Sequence, residues 1–225
     1  MGYYFQYSGN LKEASQISEM VVEIEDICET LRWPYELFET EYPEDKFSEE
    51  EEDTVYGIQF TPPDSDPVLF TFDASGALFN PIVKQMFSEG EENGMKVITV
   101  KVNLDDEDME PVISDDDKNI DISRVVYKIS VNLETHEVAT CVQIVELIRY
   151  LSEKYLTSFS FQDDSGYWQS KDSSVLTKRL KTSRHILDKI QAKLEGKSFE
   201  NPEEFIKFIR LLGTYIQKKL REEEE

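Results

Sequence analysis

The acidic run Asp115-Asp116-Asp117-Lys118-Asn119-Ile120-Asp121 has the spacing of a cation-binding loop. Oxygen donors at Asp115, Asp117, Asn119 and Asp121 alternate in the way a loop wraps Ca²⁺. Two parts of that pattern are missing. Ile120 stands where the sharp turn requires glycine, and Val126 stands where a bidentate glutamate would close the shell. A solvated acidic loop is the commoner fate of such a run. The four donors are carried forward as a candidate metal site.

A second pattern is cationic. Lys178, Lys181, His185, Lys189 and Lys193 recur at three- and four-residue steps, with Arg179 and Arg184 beside them. Aligned cations of this kind release counterions from a polyanion, so a nucleic-acid contact through 178–193 is one reading. The plainer reading is a solvated helix face, or one that rests on acidic parts of the same chain.

Tyr167 and Trp168 follow the turn Ser165-Gly166, and with His136 they could line a ligand or partner pocket. Their alternative role is to cap the edge of a core. Cys28 and Cys141 each lie inside an amphipathic helical pattern, which predicts reduced core thiols rather than a disulfide. His136-Glu137-Val138-Ala139-Thr140 departs from the zinc-protease signature, because Thr140 replaces its second histidine. The nine glycines form no GxSxG, GxGxxG or GxxxxGK[ST] run, so no cofactor is expected. Carboxylate-pair catalysis stays open, since 47 acidic residues supply more pairs than a sequence can sort.

The elements that would position these groups follow from periodicity. Tyr3 to Tyr7 predicts an aromatic strand. Ile17, Met20, Val21, Ile24, Ile27, Cys28 and Leu31 predict one face of a helix that Trp33-Pro34 stops. A strand is expected over 35–42 and a hairpin over 55–72, its wide loop built from Thr61 to Pro67. Residues 81–87 suit a short helix and 97–104 a strand. The period-two alternation from Val125 to Leu133 predicts a strand, and a helix capped by Thr135 should run from His136 to Tyr155. A strand at 157–161 follows. Two C-terminal helices are expected, one from Leu176 to Leu194 and one opened by Asn201-Pro202-Glu203-Glu204.

Strand–helix–strand thus occurs twice, at 3–42 and 125–161. The expected fold is α+β, with a mixed or antiparallel sheet, helices packed on one face and a C-terminal helical pair. Residues 1–170 would form an acidic body, with 171–225 packed on it as part of one compact unit. A hydrophobic fraction of 39% and 12% aromatics argue for a packed core in spite of the charge.

Charge is the strongest compositional signal. Residues 1–170 hold 11 Lys/Arg against 37 Asp/Glu, while 171–225 hold 13 against 10. A body this acidic repels nucleic acid and anionic membrane and favours basic partners at encounter. No apolar run approaches the length of a membrane span. MGYYFQYSGN lacks the basic flank of a secretory signal, and Gln6 stands where a myristoylation signal wants Ser or Thr, so a cytoplasmic location is expected. The function expected from sequence is a non-enzymatic module that binds a basic protein. A carboxylate-based enzyme or small-ligand binder, with or without a divalent cation, is the alternative.

Overall fold

The computed structural model describes residues 3–43, 54–92, 100–101, 112–113, 123–133 and 137–194. It shows an α+β fold in which two three-stranded antiparallel sheets carry helices. The chain divides into two compact units, Met1–Met95 with Asp121–Leu180, and Lys96–Ile120 with Lys181–Glu225.

In the first unit the chain begins with β1 (Tyr3–Leu11), whose Tyr3, Phe5 and Tyr7 alternate into the core as a period-two strand must. Helix α1 (Gln16–Leu31) buries Ile17, Met20, Val21, Ile24 and Cys28, and Arg32 closes it in the left-handed conformation. Pro34 then leads into β2 (Tyr35–Leu37), which pairs with β3 (Tyr56–Phe60), and β3 pairs with β4 (Val68–Phe72). Gly57 sits at φ +114°, and a Cβ there would lie 2.0 Å from the Phe70 carbonyl oxygen, so β3 and β4 need glycine at that crossing. Asn80 caps α2 (Pro81–Glu92) through its Oδ1, which accepts the N–H groups of Ile82 and Val83.

In the second unit a two-residue pair, β5 (Val100–Lys101) with β6 (Val112–Ile113), is antiparallel. The chain returns to the first unit through a helical turn, α3 (Ser123–Val126), before β7 (Ile129–Leu133). Helix α4 (Val138–Tyr155) leads directly into β8 (Leu156–Asp163), and a short α5 (Tyr167–Ser170) precedes α6 (Ser173–Leu194). Asp172 caps α6, its carboxylate accepting the N–H and hydroxyl of Ser174.

The sheet order β7-β1-β8 inserts the first strand between two that α4 connects, a split β-α-β arrangement. Only this later strand–helix–strand segment closes within one sheet. The earlier one divides, because β1 joins one sheet and β2 the other. Tyr7 ties the sheets together: its buried hydroxyl donates to the Leu69 carbonyl at 2.7 Å and accepts the Leu69 N–H at 3.1 Å.

Three local expectations change. The alternation over 125–133 gives a strand only from Ile129, because β1 pairs with it no further than Tyr7. Beyond that point the Gly9 carbonyl accepts Leu78 N–H, and the Val126 carbonyl accepts Asn80 N–H. Helix α4 starts at Val138 with Glu137 in the cap position, later than the expected His136. The strand over 35–42 shortens to Tyr35–Leu37, since Glu39 shifts out of register and bridges Tyr56 in parallel.

Candidate functional site

Asp163 ends β8 and organises the turn that holds Tyr167 and Trp168. Asp163 accepts the Tyr3 hydroxyl at 2.6 Å, the Gly166 N–H at 2.7 Å and the Trp168 N–H at 3.0 Å. Burial, reinforced by the bond to Asp163, pushes the Tyr3 phenol far above its ordinary value and keeps it protonated as a donor. Tyr167 is buried and its hydroxyl meets Glu146 Oε1 at 3.1 Å. Trp168 is half-buried between two partners. Its ring stacks on Phe161 at 4.1 Å, and the Arg149 guanidinium lies 4.0 Å from its centroid. Arg149 also donates to the Trp168 carbonyl at 2.9 Å. The two aromatics thus pack against sheet, helix and cation, with the Tyr167 hydroxyl and the Trp168 main-chain N–H and carbonyl engaged. His136 lies outside the described residues.

A second cluster forms where α1 meets α4. Lys154 Nζ lies 3.0 Å from Glu19 and 3.1 Å from Glu23. Glu23 also accepts the hydroxyls of Tyr150 at 2.6 Å and Tyr155 at 2.7 Å. Partial burial works to raise the Glu23 carboxyl, but hydrogen bonds from Tyr150, Tyr155 and Lys154 outweigh it, so it stays ionised below the usual range. Tyr155 is pushed up to about 12, first by burial and then by its carboxylate neighbours. A tyrosine held protonated is a poor nucleophile or base, and this network acts as a clamp between two helices. The free thiols tell the same story. Cys28 and Cys141 are both buried, and burial raises each to about 11, away from the reactive thiolate.

The third region is the outer side of α1 and β2. Between Glu13 and Pro43 the sequence carries nine acidic residues and one base, Arg32. Glu29 accepts the Tyr35 hydroxyl at 3.4 Å, which draws Tyr35 towards α1. Glu36 points to the other face, where it accepts the Gln59 amide at 2.7 Å. Burial, then Glu25 and Glu29, raise the Tyr35 phenol. Burial, then Glu25 and Glu39, raise Tyr42. Both tyrosines thus lie close to Glu25.

The backbone of β2 is unpaired on that side among the described residues, since it is the terminal strand of its sheet. Phe38 N–H donates to the Gly57 carbonyl at 2.9 Å, and Thr61 N–H to the Pro34 carbonyl at 2.8 Å. Residues of even number therefore face β3, and Tyr35 and Leu37 turn N–H and C=O outward. At the start of this edge a shallow depression of about 460 Å³ is lined by Pro34 and by the loop from Thr61 to Asp66.

Of the cationic stripe, Arg179 is bound to Asp164, its Nη2 at 2.6 Å and its Nε at 2.9 Å from one carboxylate oxygen. Lys181 is exposed, and the side chains of His185, Lys189 and Lys193 lie outside the described residues, as do Asp115, Asp117, Asn119 and Asp121. No group of three or more His, Cys, Asp and Glu converges as a metal site among the described residues. None of their helices is long and apolar enough to cross a membrane.

The acidic edge was not singled out from sequence. Periodicity places Glu19, Glu23, Glu25, Asp26 and Glu29 mostly outside the apolar face of α1 and says nothing more of them. The signal that could have found it is the lone Arg32 among nine acids, read together with a proline that starts a short strand. No protein-family model matches this chain, and neither a curated protein nor a solved structure is similar to it.

Proposed function

We propose that this chain is a non-enzymatic interaction module whose acidic surface receives a basic protein partner. One observation carries the reading: Glu25 and Glu29 of α1 flank Tyr35 of β2, and among the described residues no ion pair reaches them or Glu36, whereas Glu19 and Glu23 are held by Lys154. Concentrated charge of one sign speeds encounter with a partner of the other sign and sets which partners dock. The most shielded reactive groups support it too, because burial holds Tyr3, Tyr7, Cys28 and Cys141 in their neutral forms. A cytoplasmic location belongs to the same proposal and rests on two buried, unpaired thiols. Nucleic-acid contact through 178–193 has less support, since Arg179 is engaged by Asp164.

The test is capture of proteins from a lysate on the immobilised full chain, eluted with a salt gradient and identified by mass. Proteins of high isoelectric point should be enriched and should leave as salt shortens the range of charge attraction. A captured set with no basic bias, or one indifferent to salt, overturns the proposal.

A further inference from the structure

We propose that the outer edge of β2 is where that partner docks, as an extended basic segment that adds a strand to the sheet. The inference rests on the reading above and goes further, because it names the site and the conformation of what binds there. Three observations converge on it. Tyr35 and Leu37 present main-chain donors and acceptors outward, which an extended chain satisfies and a helix does not. The rim of that edge is acidic on both faces, with Glu25 and Glu29 on the α1 side and Glu36 on the other. A strand added there alternates its side chains between those two faces, so Lys or Arg placed at every second position meets carboxylate. At the N-terminal end of β2, the depression between Pro34 and the loop after β3 adds a further carboxylate, Asp64, near the end of such a strand.

Charge also selects against the other obvious occupant. An unpaired edge invites a second copy of the same chain. Pairing β2 with β2 would set Glu36 and Glu29 of one copy against the same carboxylates of the other, in a protein of net charge −23. Like charges directly opposed across a strand pair are destabilising. The acidic rim therefore guards the edge against itself while leaving it open to a cationic strand.

The probe is a blocked peptide of about eight residues alternating Lys and Val, titrated into the full chain at low salt. A second peptide has the same sequence with its four central amides N-methylated. It keeps the charge and side chains but cannot pair as a strand. The plain peptide should protect the Tyr35 and Leu37 amides from hydrogen exchange. The methylated one should bind at least about tenfold more weakly, the loss expected when one or two main-chain hydrogen bonds go. Glu25→Gln with Glu29→Gln should weaken the plain peptide and flatten its salt dependence, whereas Glu13→Gln with Glu153→Gln should not. Equal binding of both peptides, or unprotected Tyr35 and Leu37 amides in the complex, overturns the edge-docking proposal. If the lysate capture still yields basic proteins, the broader reading survives that result. If the capture also fails, both fall together.

Discussion

Replacing Asp163 with asparagine tests whether the turn after β8 is held by its carboxylate. In the native turn Oδ2 accepts the Tyr3 hydroxyl and the Trp168 N–H, while Oδ1 accepts the Gly166 N–H. In Asp163→Asn one oxygen becomes an NH2 group. Placed at Oδ2, it opposes the Trp168 N–H donor to donor. The Tyr3 hydroxyl can turn to accept it, but the backbone cannot. Rotating the amide moves the same conflict to Gly166. One charge-assisted bond is lost outright, and a group left short of its partner costs about 1.5–3 kcal/mol. The remaining bonds weaken from charged to neutral, so the expected total is about 2–4 kcal/mol. For a chain of this size that corresponds to a fall in Tm of about 4–16 °C. Thermal unfolding followed by circular dichroism measures it. Ser165→Ala, which removes a hydroxyl bonded to Tyr167 N–H at 3.1 Å, serves as a mild control with a smaller loss. A shift for Asp163→Asn no larger than that of the control refutes the reasoning, because the turn would then stand without its carboxylate.

Gly57→Ala should cost more than about 3 kcal/mol, since it combines a left-handed φ with a Cβ 2.0 Å from backbone; an unchanged urea midpoint would contradict the close approach of β3 and β4. Tyr7→Phe should lower stability by about 2–3 kcal/mol, by leaving the buried Leu69 N–H and carbonyl without their partner; urea titration at unchanged slope is the check. The Glu23 carboxyl is depressed in the fold, so its contribution is present above its unfolded value and is lost as pH falls through the lower folded one. Glu23→Gln should therefore flatten the acid limb of the stability curve below about pH 5 and leave its shape around neutral pH alone. Cys28 and Cys141, raised to about 11, should react with a disulfide reagent at neutral pH only at the rate of unfolding; immediate labelling of either would show that burial does not protect it.

Periodicity made much of the first unit legible. The three- and four-residue steps of α1 and the alternation of Tyr3, Phe5 and Tyr7 are direct prints of burial, so a sequence carries them openly. The hairpin of β3 and β4 was legible because Pro62, Pro63 and Pro67 cannot continue a strand ladder. What escaped is what partners decide. Val125 and Tyr127 alternate as well as Ile129 and Val131, yet β1 has no register left for them. Asp163 carries no periodic signal, since it acts through the N–H groups of residues three and five further on. The outward turn of Tyr35 and Leu37 depends on which residues of β2 face Gly57 and Gln59, a fact of pairing that composition does not encode.

The excess of negative charge needs one more step, because part of it is answered within the chain. Lys154 holds Glu19 and Glu23, and Arg149 sits against Glu146 and Trp168. Arg179 binds Asp164, and Lys12 donates to the carbonyls of Glu153 and Lys154 at the end of α4. All four cations therefore serve contacts of α4, β8 and their neighbours. None of these ion pairs reaches Glu25, Asp26, Glu29, Glu36, Glu39 or Glu41. Helix α1 even places acids towards its own negative C-terminal end with no base in the last turn, an arrangement that costs stability. Glu29, Glu36 and Glu39 accept hydrogen bonds within the fold, but no ion pair among the described residues gives a reason for so many charges there. A cationic partner laid along β2 supplies one, since it would relieve the mutual repulsion of those carboxylates at the same stroke as it satisfies the outward N–H and C=O groups of Tyr35 and Leu37.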